Sequence, residues 1–221
     1  MLPEISIHAA LRALAPDLAL GCILASVVVE KHNEALWREI DLHLTHLIAT
    51  SKSEQISTVP QIAAMRSAYK ALGKDPSRYR GSAEALLRRV LSGKGLYQIN
   101  SVVDINNLTS LESLNPAGTY DLEKIKPPIE LRIGAAGENY KGIGKDLINI
   151  ESLPVFADSA GPFGSPTSDS ERAMVRLETR KVLTVVFSFT GPQGLEHWLS
   201  RASELLRGYC SGEEIETSLV T

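Results

Sequence analysis

Apolar residues recur at helical spacing through most of the first half of this chain. The second half reads as short apolar runs cut by glycine, proline and asparagine. That segregation limits the fold more than any other feature, because alternating βαβ units around a parallel sheet would interleave the two periods. Leu36, Ile40, Leu44 and Leu47 predict a helix over residues 33–49. A second helix is expected from Thr58, with Pro60 in its first turn, to Gly73. A third runs from the N-cap candidate Ser82 through Leu86 and Val90 to Gly93, and a fourth from Asn100 to Leu114, where Pro116 bars continuation. Strands are expected at 4–8, 19–30, 129–133, 153–157, 174–177 and 182–187, with a last amphipathic helix over 193–207. The expected class is α+β, with helices mainly in the N-terminal half packed on mostly antiparallel strands of the C-terminal half.

A chain of 221 residues can bury a substantial core, and a single domain over 1–221 is expected. Its longest apolar run, Gly21–Val29, is strand-sized and falls well short of the ~20 residues of a membrane helix. The start, Met1-Leu2-Pro3-Glu4, lacks the basic opening of a secretory signal. Cys22 and Cys210 form no disulfide framework and no metal-ligand spacing, so the expected compartment is a reducing cytoplasm, with no membrane association. The net charge of −3 conceals an uneven distribution. Residues 66–95 hold eight basic side chains, among them Lys74, Arg78, Arg80 and Lys94, against two acidic ones. A basic patch on an acidic body suits a phosphate backbone, and a solvated pair of charged helices explains the same composition.

Two polar stretches could carry chemistry. One is Gly161–Arg172, which offers Gly161, Gly164, Ser165, Thr167 and Ser168 together with the carboxylates Asp169 and Glu171. It reads either as a ligand-binding loop or as a surface turn ending in a helix cap. The other is Asn100–Asn107, where Asp104 and Asn107 share a helical face. They either contact a ligand or satisfy buried backbone groups. His43 and His46 stand at i, i+3 without a third ligand, so neither metal nor cofactor is expected. Gly142-Ile143-Gly144-Lys145 is half a glycine fingerprint and reads as a turn. Trp37 and Trp198 read as core residues on helices.

The runs Ile99–Asn107 and Thr119–Ile125, followed by Leu131-Arg132-Ile133, Gly137-Glu138, Val155–Asp158 and Gly161-Pro162, keep one order along the chain. In that order they resemble the B3/B4, or editing, domain of the phenylalanyl-tRNA synthetase beta subunit, over about residues 72–188. The runs Lys74–Arg80 and Gly164–Arg172 are similar to those of its stand-alone relatives. The resemblance implies a tRNA-binding protein that hydrolyses a wrongly attached amino acid from tRNA, with the aminoacylated acceptor end and its amino acid as ligands. It carries the asparagine of the substrate pocket onto Asn107, and the acid that recognises the amino acid onto Asp169 or Glu171. A histidine of the synthetase falls on Gly118, which implies a different catalytic arrangement around that substrate-side position.

Ester hydrolysis of this kind needs a held carbonyl, a placed water and donors for the developing oxyanion. The expectation gives backbone N–H groups of residues 161–165 the oxyanion role, Asn107 the orienting role, and Lys74, Arg78, Arg80 and Lys94 the RNA. A tRNA-binding module without catalysis, and a pocket for a free amino acid or small metabolite, are the alternatives.

Overall fold

The computed structural model describes residues 1–221. The chain opens with β1 (Ile5–Ile7), α1 (Ala9–Leu14) and β2 (Ala19–Ser26). Four helices follow: α2 (Glu34–Thr50), α3 (Pro60–Ala71), α4 (Ser82–Leu91) and α5 (Ser101–Ser113). Next come β3 (Ala117–Asp121), β4 (Ile129–Ile133), β5 (Asn139–Lys141), β6 (Leu147–Asn149), β7 (Pro154–Asp158) and β8 (Gly161–Gly164). The chain closes with β9 (Lys181–Ser188), α6 (Leu195–Cys210) and β10 (Glu213–Val220). The strands form two four-stranded sheets, β10-β2-β9-β3 and β1-β4-β7-β8, and a separate β5-β6 hairpin. Only β1 and β4 pair in parallel, so the α+β expectation with mostly antiparallel strands holds.

The β10-β2-β9-β3 sheet is the middle layer. On one face Leu20, Leu183, Val185 and Phe187 pack against Leu131, Val155, Phe156 and Phe163 of the other sheet. On the opposite face Ile23, Ala25 and Val182 meet Leu36 and Ile40 of α2, Leu108 of α5 and Leu205 of α6. A strand buried on both faces has no solvent side to make polar, which is why β2 and β9 read as nearly continuous apolar runs, β9 interrupted by Thr184. Gly21 lets α6 lie directly on the strand backbone, since a Cβ there would sit 2.9 Å from the Leu199 side chain.

Local signals set several boundaries. Asn33 and Asn100 cap α2 and α5, accepting hydrogen bonds from Leu36 N at 3.0 Å and Val103 N at 2.9 Å. α5 ends where Leu114 turns left-handed, just before Asn115-Pro116. The cap of α4 is Gly81 and not Ser82, whose hydroxyl accepts instead from Ala117 N at 3.3 Å and ties the helix to β3. The strand expected at 174–177 reduces to one antiparallel bridge between Met174 and Tyr120. Thr179 Oγ1 accepts from Arg176 N at 2.9 Å and turns the chain there. Trp37 is core, whereas Trp198 is only half-buried.

Asp104 belongs to this framework. It is 1% exposed; Oδ2 accepts from Trp37 Nε1 at 2.7 Å and Oδ1 from Ile99 N at 3.0 Å. Both carboxylate oxygens are thus engaged, fastening α2 to the start of α5, and burial raises the carboxyl's pKa. We predict that Asp104→Ala, which strands the buried Trp37 Nε1–H and the partly buried Ile99 N–H, destabilises the fold by about 2–4 kcal/mol. Chemical denaturation would measure it; a loss within 0.5 kcal/mol, roughly that of a surface change, would contradict the assignment.

Candidate functional site

Five chain segments meet at one mouth beside the middle sheet. α5 contributes Val103 and Asn106, one helical turn apart, and β3 contributes Thr119. Ile99 comes from the segment before α5, Ile143 from the β5–β6 turn, and Asp169, Met174 and Val175 from the stretch after β8. The cleft between them has a volume of about 310 Å³, suited to a group of amino-acid size. Its walls are aliphatic or thioether, with three polar side chains: Asp169, Asn106 and Thr119. A larger groove of about 670 Å³ runs between α6 and β10, but its charged residues Glu196 and Arg207 lie exposed and it offers no buried acid or base.

Asp169 is held from one side only. Its Oδ1 accepts from Tyr120 Oη at 3.0 Å and from Ser165 N at 3.1 Å, while Oδ2 has no protein partner. Tyr120 is 1% exposed, packed edge-on against Phe156 and Phe163. Its ring reaches Asp169 because two neighbouring positions lack side chains. A Cβ on Gly118 would stand 2.4 Å from the Tyr120 hydroxyl, and one on Gly164 would stand 2.4 Å from the ring. Gly118 is therefore the space that the tyrosine occupies, and a histidine there would collide with it. Burial pushes the Asp169 carboxyl up to about 6, against the opposing pull of the Ser165 and Tyr120 hydrogen bonds and the Lys145 charge. The Tyr120 hydroxyl is raised well above its ordinary value, by burial and then by the adjacent carboxylate.

The loop carrying Asp169 is tied down at each step. Ser165 Oγ accepts from Thr167 N and Ser168 N and donates to Ser168 O at 2.8 Å. Tyr140 donates to the same carbonyl, and Thr167 Oγ1 bonds Tyr69 Oη at 2.8 Å. Lys145 Nζ stands 3.4 Å from Ser168 Oγ. Ser165, Thr167 and Ser168 thus shape the loop, and none of them lines the cleft. None of the residues whose N–H groups were expected to bind an oxyanion lines the cleft. Residues 161–164 form β8 on the edge of the outer sheet, and Ser165 N points at Asp169. Gly161 and Gly164 are accordingly backbone positions of that strand.

Several expected residues fall elsewhere. Asn106 lines the cleft where Asn107 was expected, a shift of about 100° around α5. Asn106 Oδ1 accepts from Thr119 Oγ1 at 3.0 Å, and one Nδ2 hydrogen goes to Ala117 O at 3.3 Å, leaving the other unassigned. Between the two acids the geometry favours Asp169, since Glu171 pairs with Lys141 at 3.0 Å outside the cleft. Asp104 is a framework residue, as described above. The signal that could have found Asn106 is its register with Val103, and Thr119 and Tyr120 lie within the run Thr119–Ile125 already noted.

The cationic segment adjoins the Asp169 loop. Ser82 N donates to Pro166 O at 2.8 Å, and Tyr69 on α3 makes the Thr167 contact from the same side. Glu84, 3% exposed, gathers Arg66 at 3.0 Å, Arg88 at 2.9 Å and Arg80 at 3.8 Å. Arg78 is exposed, Lys74 lies 4.9 Å over the Tyr79 ring, and Lys94 is exposed beyond α4. The half-fingerprint Gly142–Lys145 is the turn of the β5–β6 hairpin. No group of three or more His, Cys, Asp or Glu side chains could hold a metal, and no helix is long and apolar enough to cross a membrane.

The model of the B3/4 domain family matches residues 64–210. Similar curated proteins are phenylalanine–tRNA ligase beta subunits. That of Paramagnetospirillum magneticum is 31% identical over 83 residues, which are 37% of this chain and 10% of that protein. That of Bartonella quintana is 25% identical over 167 residues, covering 63% of this chain and 21% of that protein. The chain thus spans about a tenth to a fifth of the relatives it matches. An N-terminal fragment of the phenylalanyl-tRNA synthetase beta subunit from Pyrococcus horikoshii aligns with a TM-score of 0.50 at 14% identity, over 98% of this chain and 50% of that one, a likeness of fold alone.

The one-sided hold on Asp169 gives a stability prediction. An unfolded aspartate titrates near 3.9, so the folded chain binds this proton more tightly. The resulting stabilisation is complete below the unfolded value and is lost as pH rises through about 6. Asp169→Asn keeps an Oδ1 acceptor for both donors and removes the charge. At pH 7.5 it should be more stable than the parent by about 1–3 kcal/mol, with the gain gone below about pH 4. Thermal unfolding across that range checks it; a lower melting point for the variant at pH 7.5 would contradict the account.

Proposed function

The chain belongs to the B3/4 domain family, and from that premise we propose that it binds tRNA and hydrolyses an ester-linked amino acid from the 3′ end. The observation that carries the reading is the free Oδ2 of Asp169, an oxygen with no protein partner in an apolar cleft of amino-acid size. With its carboxyl near 6, Asp169 is mostly ionised at neutral pH and close enough to neutrality to act as a general base. Oδ2 takes a proton from water as that water adds to the ester carbonyl. The tetrahedral intermediate then collapses, the ribose oxygen leaves, and the same carboxyl returns the proton to it. The remaining Nδ2 hydrogen of Asn106 is the donor available to the developing oxyanion, taking the part expected of Asn107. Ile99, Val103 and Met174 hold the amino-acid side chain and exclude bulk water.

The adjoining cationic segment supports the RNA half of the proposal. Arg78 is exposed, and Arg80 is held only loosely by Glu84, so both can turn to phosphates near the Asp169 loop. A non-catalytic tRNA-binding module is the second reading, favoured by the substitution of Gly118 for the synthetase histidine.

Deacylation of a panel of mischarged tRNAs tests both. The expected profile rises tenfold per pH unit below about 6 and levels off above, because only the ionised carboxyl accepts the proton. Asp169→Asn should lower kcat by about 10²–10⁴-fold. The double variant Arg78→Glu and Arg80→Glu should raise KM and weaken its salt dependence while kcat holds. No rate above the spontaneous one with any charged tRNA would leave only the binding module; absence of tRNA binding in a filter assay would sink both.

A further inference from the structure

Tyr97 is 59% exposed in the segment between α4 and α5, and it is not isolated. The guanidinium carbon of Arg89 lies 3.6 Å from the ring centroid, and Arg89 Nη1 donates to the tyrosine hydroxyl at 2.9 Å. Nη2 of the same arginine donates to Lys94 O at 3.2 Å, which fixes the cation beneath the ring. The aromatic plane is thus covered on one face by a cation and open on the other. Fold stability gives little reason for the arrangement, because Arg89 Nε is buried there without an acceptor. Ile99, two residues on, is 51% exposed and lines the cleft. Two residues of chain span at most about 7 Å between Cα atoms, so Tyr97 stands beside the mouth of that cleft.

We infer that Tyr97, backed by Arg89, is the stacking seat for the last nucleobase of a single-stranded RNA 3′ end, the base whose ribose carries the ester. The inference rests on the reading of the cleft given above. A flat aromatic ring accepts any base face, and a cation behind it strengthens the stack. Ring immobilisation by Arg89 means that little freedom is lost on binding. Lys94 and the cationic segment beside it would meet the preceding phosphates.

The test uses the whole chain and an RNA hairpin with an unpaired 3′ tail ending in 2-aminopurine, whose fluorescence is quenched by stacking. Wild type should quench the probe, and Tyr97→Phe should do so nearly as well. Tyr97→Ala, a change at an exposed site, should lose the quench and bind roughly tenfold or more weakly, with an unchanged melting temperature. An unaltered quench and affinity in Tyr97→Ala would overturn the inference, as would a wild type that never quenches. The same samples separate this from the catalytic reading. Quenching by wild type without deacylation of any charged tRNA leaves the seat standing and removes the hydrolase. Deacylation without quenching does the reverse.

Discussion

The two central strands of the middle sheet, β2 and β9, have no face turned to water, and the rest of the molecule is arranged around that condition. β9 carries Leu183, Val185 and Phe187 towards one sheet and Val182 towards the helices, so both neighbouring layers must be in place before the strand is buried. β3 pairs along one edge of β9, Tyr120 opposite Leu183. The ring of Tyr120 therefore enters the inter-sheet core, with its hydroxyl emerging at Asp169. The position of the acid is in this way an outcome of packing in the core between the two sheets, as a preorganised site requires.

That arrangement works against stability at neutral pH. A carboxyl raised to about 6 is one the folded chain would sooner keep protonated, and its two donors do not offset the loss of hydration. An unstrained alternative is easy to picture: an apolar residue at 169 would fill the cleft floor and leave Tyr120 to find another acceptor. Retention of a charge where burial opposes it, beside a cavity that a ligand could fill, is what separates a site from a surface turn. Glu84 is by contrast a buried carboxylate gathered by three arginines, Arg66, Arg80 and Arg88.

The main elements were legible because they follow from short-range rules. Apolar spacing in α2, the Asn100 cap of α5, the Pro116 stop and the doubly buried β2 and β9 each leave a mark on the sequence itself. The elements that escaped depend on partners distant in sequence. β8 contains Pro162 between glycines and is a strand only because β7 supplies the other half of the ladder, and β10 is a largely exposed edge that β2 pairs. The site was legible in part for the same reason. Asp169 lay in the polar run already singled out, whereas the choice of Asn106 over Asn107 turns on the rotation of α5 against β3, fixed by Thr119 and Ala117. The tyrosine that orients the acid could not be distinguished from an ordinary core aromatic until Gly118 and Gly164 were seen to border it.

Asp104 and Asp169 show how far a free valence can decide between structure and chemistry. Both are acids raised by burial, and both sat in stretches that read equally well as site or framework. Asp104 divides its two oxygens between Trp37 and Ile99, so a ligand could reach it only by breaking a bond that holds α2 to α5. Asp169 places both donors on one oxygen, and the other is left facing a space that water or an ester can enter. A carboxylate fully engaged by the protein has no lone pair left for proton transfer at low cost, whatever its pKa. The unshared oxygen, more than the shifted titration, is therefore the property on which the proposal of Asp169 as the reactive group rests.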